Sequence, residues 1–353
     1  MEFYKTPVQR NSVQIVFQHV KASGPISRRE LQELTGLSWG TISRVVEHLV
    51  AQEYITVMDE KQSEGVGPKI EKFDVTTLKH CFIGVDLDNR GFIAVVTDMK
   101  GRIVESIEHK WTIFTRENVL EKLFQILDNF MTRYKDNHVK GIGFAVQGVA
   151  DVRKGVSTYI GKIEGWNDVP LKDLMEERYG VGVVVAHDPD CLMKCETTLG
   201  VLKDKPVRDV LMINYNHEFA LGMSVMVNGQ IYLGHHGKAG ELGYTILGTK
   251  EDGRCEMLEE YVTHRDEKIE ASLLCDYIAR GIAMANSFLN PEVIVLHMVG
   301  CPFQSMMIES IQRRLQNSSW DSAVDLKLSC LKYNAKAKGA ALMVIEDEID
   351  TIS

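Results

Sequence analysis

The chain has 353 residues, a hydrophobic fraction of 44%, a charged fraction of 25% and a formal net charge of −9. That is an ordinary globular composition with material for two or three domains, and no apolar run approaches the ~20 residues needed to cross a bilayer. Seven scattered cysteines, an odd number without a CxxC pair, exclude a disulfide framework and point to a reducing cytoplasm.

The first residues, MEFYKTPVQRNS, lack the apolar stretch of a secretion signal. Val13, Val16, Phe17 and Val20 then recur at helical spacing. Gly24-Pro25 ends that helix. Ser27 is placed to cap a second helix, with Glu30 completing a capping box, and Leu31 and Leu34 are expected to face inward. Thr35-Gly36-Leu37 reads as the tight turn of a helix-turn-helix, Gly36 supplying positive φ. Ser38 caps a third helix whose buried stripe is Ile42, Val45, Val46 and Leu49. Its other face carries Trp39, Thr41, Ser43, Arg44 and Glu47, and short polar side chains there suit phosphate and base-edge contacts in a major groove.

Two alternating segments, 54–58 and 70–75, flank a polar tip, DEKQSEGVGPK, and predict a winged helix with Lys69 near a phosphate. Residues 1–72 hold nine basic and nine acidic side chains, so DNA contact depends on local placement. The expected set is Ser27, Arg28, Ser38, Trp39, Thr41, Ser43, Arg44 and Lys69. A three-helix bundle for protein contact is the competing reading; the agreement of turn, caps and polar face favours DNA.

Beyond residue 76 the pattern is strand, strand, strand, helix, strand (82–87, 91–98, 103–111, 117–134, 141–146). It returns more loosely as strands at 210–214, 219–227 and 230–233, a helix at 268–289 and a strand at 293–297. Two similar α/β halves facing across a cleft are expected, and a cleft between lobes is the usual place for a small ligand. The boundaries read 1–75 for the head, 76–200 for a first lobe to which a C-terminal helix returns, and 201–353 for a second lobe. Cys191 and Cys195, one helical turn apart, read as small buried side chains.

Several stretches carry a resemblance. GHHGKAGELGY (234–244), GIGFAVQGVADVRKGV (141–156), GWNDVPL (165–171), VVVAHDPD (183–190), LNPEVIVL (289–296) and AKAKGAALM (335–343) resemble, in order and spacing, segments of the ROK family. That family joins sugar kinases and sugar-responsive repressors. The resemblance implies a duplicated ribonuclease-H-like body of the actin and hexokinase type behind the winged helix-turn-helix.

The departures from the family pattern lie in the nucleotide and zinc elements. The glycine-rich turn after the first strand, DLGGT-like in family kinases, is Asp86-Leu87-Asp88-Asn89-Arg90 here, and Asp88 would repel a triphosphate. The second phosphate turn, GTGIGAG-like, keeps only Gly222 within 218–224. The adenine-side glycines are His297 and Met298. The histidine closing GELGH is Tyr244, and of the cysteines only Cys255 remains, too few for a four-coordinate zinc.

The sugar side is better kept. By resemblance Asp188 holds the catalytic-base position, vestigial without ATP but able to hydrogen-bond a sugar hydroxyl. Glu241 and Glu259 match carboxylates that take ring hydroxyls, while His187 and Tyr244 replace the family's asparagine and histidine. Glu259 could equally be a surface charge, and Trp166 could stack on a ring or fill the core. Lys162, Lys238 and Arg254 could accept a phosphate.

Together these readings give a sugar-responsive transcriptional regulator, a repressor acting as a homodimer or homotetramer on operator DNA. It would be cytoplasmic, without membrane segment, metal or cofactor. An ATP-dependent sugar kinase with an attached DNA-binding domain is the alternative.

Overall fold

A computed structural model describes residues 11–58, 70–216, 220–235, 237–262, 271–298, 304–318 and 324–352. Lys69 and the rest of the polar tip, His236, Glu218 and Phe219 lie outside them.

The head is built from α1 (Ser12–Ser23), β1 (Ile26–Ser27), α2 (Arg28–Thr35), α3 (Trp39–Ala51), β2 (Ile55–Met58) and β3 (Lys72–Val75). Its helix starts follow from the sequence. Asn11, Ser27 and Ser38 cap α1, α2 and α3, and Ser27 with Glu30 forms a capping box. Gly36 closes α2 at φ 68°, where a Cβ would be strained. The strands order as β1-β3-β2, the sheet of a winged helix. Leu34 corrects the expectation: it is 55% exposed while Leu31 is fully buried. With only eight residues, α2 offers the core a single inward position, and Leu34 falls at the margin of that stripe near the helix end.

The first lobe follows: β4 (Cys81–Leu87), β5 (Gly91–Thr97), β6 (Ile103–Lys110), α4 (Arg116–Arg133), β7 (Val139–Val146), β8 (Val149–Asp151), β9 (Val156–Tyr159), β10 (Asn167–Val169), α5 (Leu171–Tyr179), β11 (Gly182–His187) and α6 (Asp188–Leu199). The second comprises β12 (Val210–Asn216), β13 (Ala220–Val227), β14 (Gln230–Ile231), β15 (Ile246–Thr249), β16 (Cys255–Met257), α7 (Leu258–Val262), α8 (Ala271–Leu289), β17 (Val293–His297), α9 (Gln304–Ser318) and β18 (Leu326–Leu328). The chain closes with α10 (Ala335–Thr351).

The internal duplication is visible in the sheets. The first lobe runs β11-β7-β4-β5-β6 and the second, read from its far edge, β18-β17-β12-β13-β14. In both, the first three strands of that list are parallel and the rest antiparallel. Strands flanked on both faces by helices are continuously apolar, and β4 is buried at all seven positions.

α10 comes from the end of the chain but packs on β4, β5, β7 and β11 of the first lobe and along α6. Small residues permit this close seat. A Cβ on Gly84 would lie 1.9 Å from the Ala337 carbonyl oxygen, and one on Gly339 would lie 1.9 Å from that of Cys191. α6 also touches β12 and β13, so α6 and α10 form the layer between the lobes.

That layer continues into the head. Val16, Phe17, Leu49 and Phe73 belong to the same buried apolar cluster as Leu192, Met212, Leu342, Ile345 and Ile349. Polar contacts fasten the joint. Tyr54 Oη donates to Glu348 Oε1 (2.7 Å), Gln14 Nε2 to the Asp350 carbonyl (2.7 Å) and Asn11 Nδ2 to that of Ile352 (3.4 Å). Lys140 pairs with Glu348 at 3.4 Å. Among the described residues, no helix is long and apolar enough to cross a membrane.

Candidate functional site

Strand register assembles one rim of a cleft. Leu87 of β4 and His187 of β11 both align with Val146 of β7. The carboxyl ends of three parallel strands are therefore level, and Asp86 to Asn89, Gln147 and His187-Asp188 share the rim. Across the cleft Asn214 of β12 aligns with His297 of β17. The crevice beyond the carboxyl ends of such strands is where α/β sheets bind ligands.

Asp188 is the hub. It opens α6, and its Oδ2 lies 2.6 Å from Lys336 Nζ on the first turn of α10 and 3.4 Å from Asn214 Nδ2. Burial opposes the charge on Lys336, but Asp188 and Asp86 outweigh it and hold the ammonium above the ordinary lysine range. Asp86 is buried with one carboxylate oxygen lacking a hydrogen-bond partner. Burial pushes its carboxyl up to about 7 against the pull of Lys336, with Asp88 and Asp188 adding to the rise. His297 is driven down to about 3, first by burial and then by Lys336. Asp190 is buried too, accepting from Ser224 Oγ of β13 (2.6 Å), and burial lifts it to about 6.

Beside this hub stand the expected sugar ligands. His187 Nε2 is 2.9 Å from the Gly237 carbonyl, which makes that nitrogen the donor. Glu241 is exposed. Surrounding protein raises its carboxyl, Asp188 adds to the rise, and His187 and Lys238 oppose it. Glu259 lies so close to Gly243 that a Cβ there would be 2.9 Å from its Oε2. The Tyr244 phenol is raised by burial, then by Glu259 and Glu241. Glu241 is thus an electrostatic neighbour of His187 and Asp188, and Tyr244 of Glu259 and Glu241. Trp166 is absent from it: 1% exposed, it donates to Ser157 Oγ inside the first lobe, leaving no face for a ring. Arg254 pairs with Asp252 on the β15–β16 hairpin.

The turn after β4 is closed upon itself. Asp88 N–H donates to the Gly91 carbonyl and Asn89 N–H to Gln147 Oε1. Arg90 and Gly91 N–H both donate to Asp88 Oδ1 at 2.7 and 3.0 Å. All four amides have internal acceptors. Among the described residues, no three His, Cys, Asp or Glu side chains converge as a metal set.

In the head, Trp39 (53% exposed), Ser38 and Arg44 stand on the surface of α3, with Thr41 and Ser43 half-buried beside them. Ser38 and Thr41 hydroxyls are 2.9 Å apart. Two expected members of this face are otherwise engaged. Ser27 is buried, its hydroxyl bonded to Glu30, because capping α2 turns it inward. Arg28 lies over the Phe73 ring and pairs with Glu71, which ties it to β3.

Lys336, Asp86, Asp190, Asn214 and Gln147 were not singled out by sequence. The available signal was Lys336 itself, one of two lysines in an otherwise small-residue opening turn, AKAKGAA.

Residues 82–263 match the model of the ROK family. A xylose repressor of Bacillus spizizenii is 22% identical over 384 residues, covering 99% of this chain and 98% of its own length. Among solved structures, a ROK family transcriptional regulator described as a homolog of the E. coli MLC protein superposes with a TM-score of 0.78 at 19% identity, over 96% of each chain. The ROK hexokinase of Thermus thermophilus gives 0.63 at 21% identity, over 76% of this chain and 99% of its own. At these identities the structural likeness is one of fold.

Proposed function

Because the chain belongs to the ROK family, we propose that it is a sugar-responsive DNA-binding regulator, a repressor, whose kinase-like cleft holds a sugar or sugar derivative and does not seat ATP. The observation that carries this reading is the turn of residues 88–91. A phosphate cradle works through backbone N–H groups left free to meet the anion. Here Asp88 Oδ1, Gln147 Oε1 and the Gly91 carbonyl already take them, and Asp88 adds a like charge. The residues present therefore do not fit a magnesium–nucleotide complex. The likeness to a xylose repressor runs through the head as well as the body, which supports the same reading.

The ligand wall is His187, Asp188, Glu241, Tyr244 and Glu259. Carboxylates suit vicinal hydroxyls because each offers several acceptor positions. α10 supplies a route to the head: it starts at Asp188 through Lys336 and ends on Tyr54, Gln14 and Asn11. A ligand that binds one placement of α10 more tightly shifts the head by that difference in affinity, and by no more. Ser38, Trp39, Thr41, Ser43 and Arg44 form the DNA face. The protein works in the cytoplasm as a homodimer or homotetramer. Phe288, 84% exposed on α8 near Met284, supports such pairing. Two heads then read half-sites about one or two helical turns, ~10 bp each, apart.

The kinase reading draws on the retained Asp188. Incubation with ATP, magnesium and a sugar panel decides between them: stoichiometric phosphorylation lost in Asp188→Asn would overturn the proposal. A sugar-dependent rise in melting temperature without ATP turnover is the expected result.

A further inference from the structure

Carboxylates from different elements act on the Lys336 ammonium. Asp86 comes from β4, Asp188 from α6, and Asp88 follows in the next turn. Asp88 and Asp188 both disfavour the charged form of Asp86. Carboxylates so placed need a cation between them. The fold supplies one from α10: Lys336 Nζ is 2.6 Å from Asp188 Oδ2, its side chain 14% exposed and that of Asp188 15%. Asp86 keeps one buried oxygen without a hydrogen-bond partner; burial raises its carboxyl, and the ammonium is the largest influence pulling against that rise.

We propose that Lys336 is a resident cation, an ammonium tethered to α10 that pairs with Asp188 where a divalent ion would otherwise meet this carboxylate, and so makes the cleft metal-independent. A point charge on a flexible stem suits this role, since lysine needs no fixed coordination geometry. The seat of α10 explains why it stays there. Its first turns lie against β4 and α6 at glycine contacts, so the Lys336 Cα has little freedom to withdraw. Lys336 acts here as a positioning residue for Asp188. Its service to a sugar ligand rests on the function proposed above; its competition with metal does not.

The test uses the full chain and manganese(II) as the probe, followed by electron paramagnetic resonance, with no sugar or nucleotide present. Wild type should show no saturable uptake below about 1 mM, a range in which paired carboxylates in a preformed site bind. Lys336→Met, Lys336→Ala and Lys336→Gln are made together, so that one folded variant by circular dichroism suffices. Any of them should bind manganese at least tenfold more tightly than wild type, and a second change, Asp188→Asn, should abolish the gain. Manganese uptake by wild type that disappears in Asp188→Asn would overturn the proposal, as would folded Lys336 variants binding no better than wild type. Failure of the protein to respond to any sugar would count against the proposed function and leave this result standing.

Discussion

The Tyr54–Glu348 contact is the sharpest place to test whether head and body are one mechanical unit. Its perturbations are Tyr54→Phe, Glu348→Ala and the double variant. The hydroxyl donates to a carboxylate at 2.7 Å, and Tyr54 is 9% exposed while the Glu348 side chain is 17% exposed. A hydrogen bond to a charged group contributes about 1.5–3 kcal/mol net. The lower half applies here, because Glu348 keeps Lys140 at 3.4 Å when the phenol is gone. The phenylalanine ring retains the edge contact with Phe17, 5.7 Å between centroids, so packing loss is small. We expect Tyr54→Phe to cost about 1–2 kcal/mol and the double-mutant cycle to give a coupling of about 1 kcal/mol. Urea unfolding of the four proteins measures both. A coupling within ~0.3 kcal/mol of zero, the additivity expected of separate sites, would refute the docking of the head on α10.

Three further outcomes follow from the coordinates. The Asp86 carboxyl sits at about 7 in the fold against 3.8 when free; the native state keeps a proton that the unfolded chain releases. Stability should therefore fall as pH rises from about 4 to about 7, by up to about 1.4 kcal/mol per unit. Asp86→Asn should flatten that slope in pH-dependent denaturation; an unchanged slope would contradict the assignment. Leu31→Ala should cost about 2–5 kcal/mol as a core truncation, and Leu34→Ser under about 0.5; equal losses in thermal melts would mean that α2 is rotated. Arg44→Ala should weaken binding to duplexes selected from a random pool and lower the salt slope by about one, with the melting temperature unchanged; undiminished affinity would place the DNA face elsewhere.

Much of this fold was legible because its signals are local. Asn11, Ser27 and Ser38 begin helices whose caps depend on residues three positions away. The succession of strands and helices along each lobe follows from apolar runs broken by turns. Leu34 was misjudged because a periodicity argument assumes a helix long enough to bury a whole stripe, and α2 is not. The engagement of Ser27 and Arg28 was not legible, because sequence shows that a polar residue can reach outward, not that a cap or a neighbouring ring has already taken it. The proposed ligand residues rest on the resemblance of GELGY and VVVAHDPD. Lys336 was not, since its partner is Asp188, far away along the chain, and nothing nearby in sequence announces the pairing. The same holds for the turn after β4: sequence showed the missing glycines, but the acceptors now filling its amides come partly from Gln147, just beyond the end of β7.

The apolar cluster that runs from Phe17 through Ile345 to Met212 has a consequence for how the molecule comes apart. Subunits of structure joined by thin, polar boundaries melt and are clipped separately; here water must invade the shared apolar cluster before the N-terminal head can be let go. Calorimetry should record a single endotherm spanning head and adjoining core, and limited digestion should yield no long-lived fragment ending near residue 76.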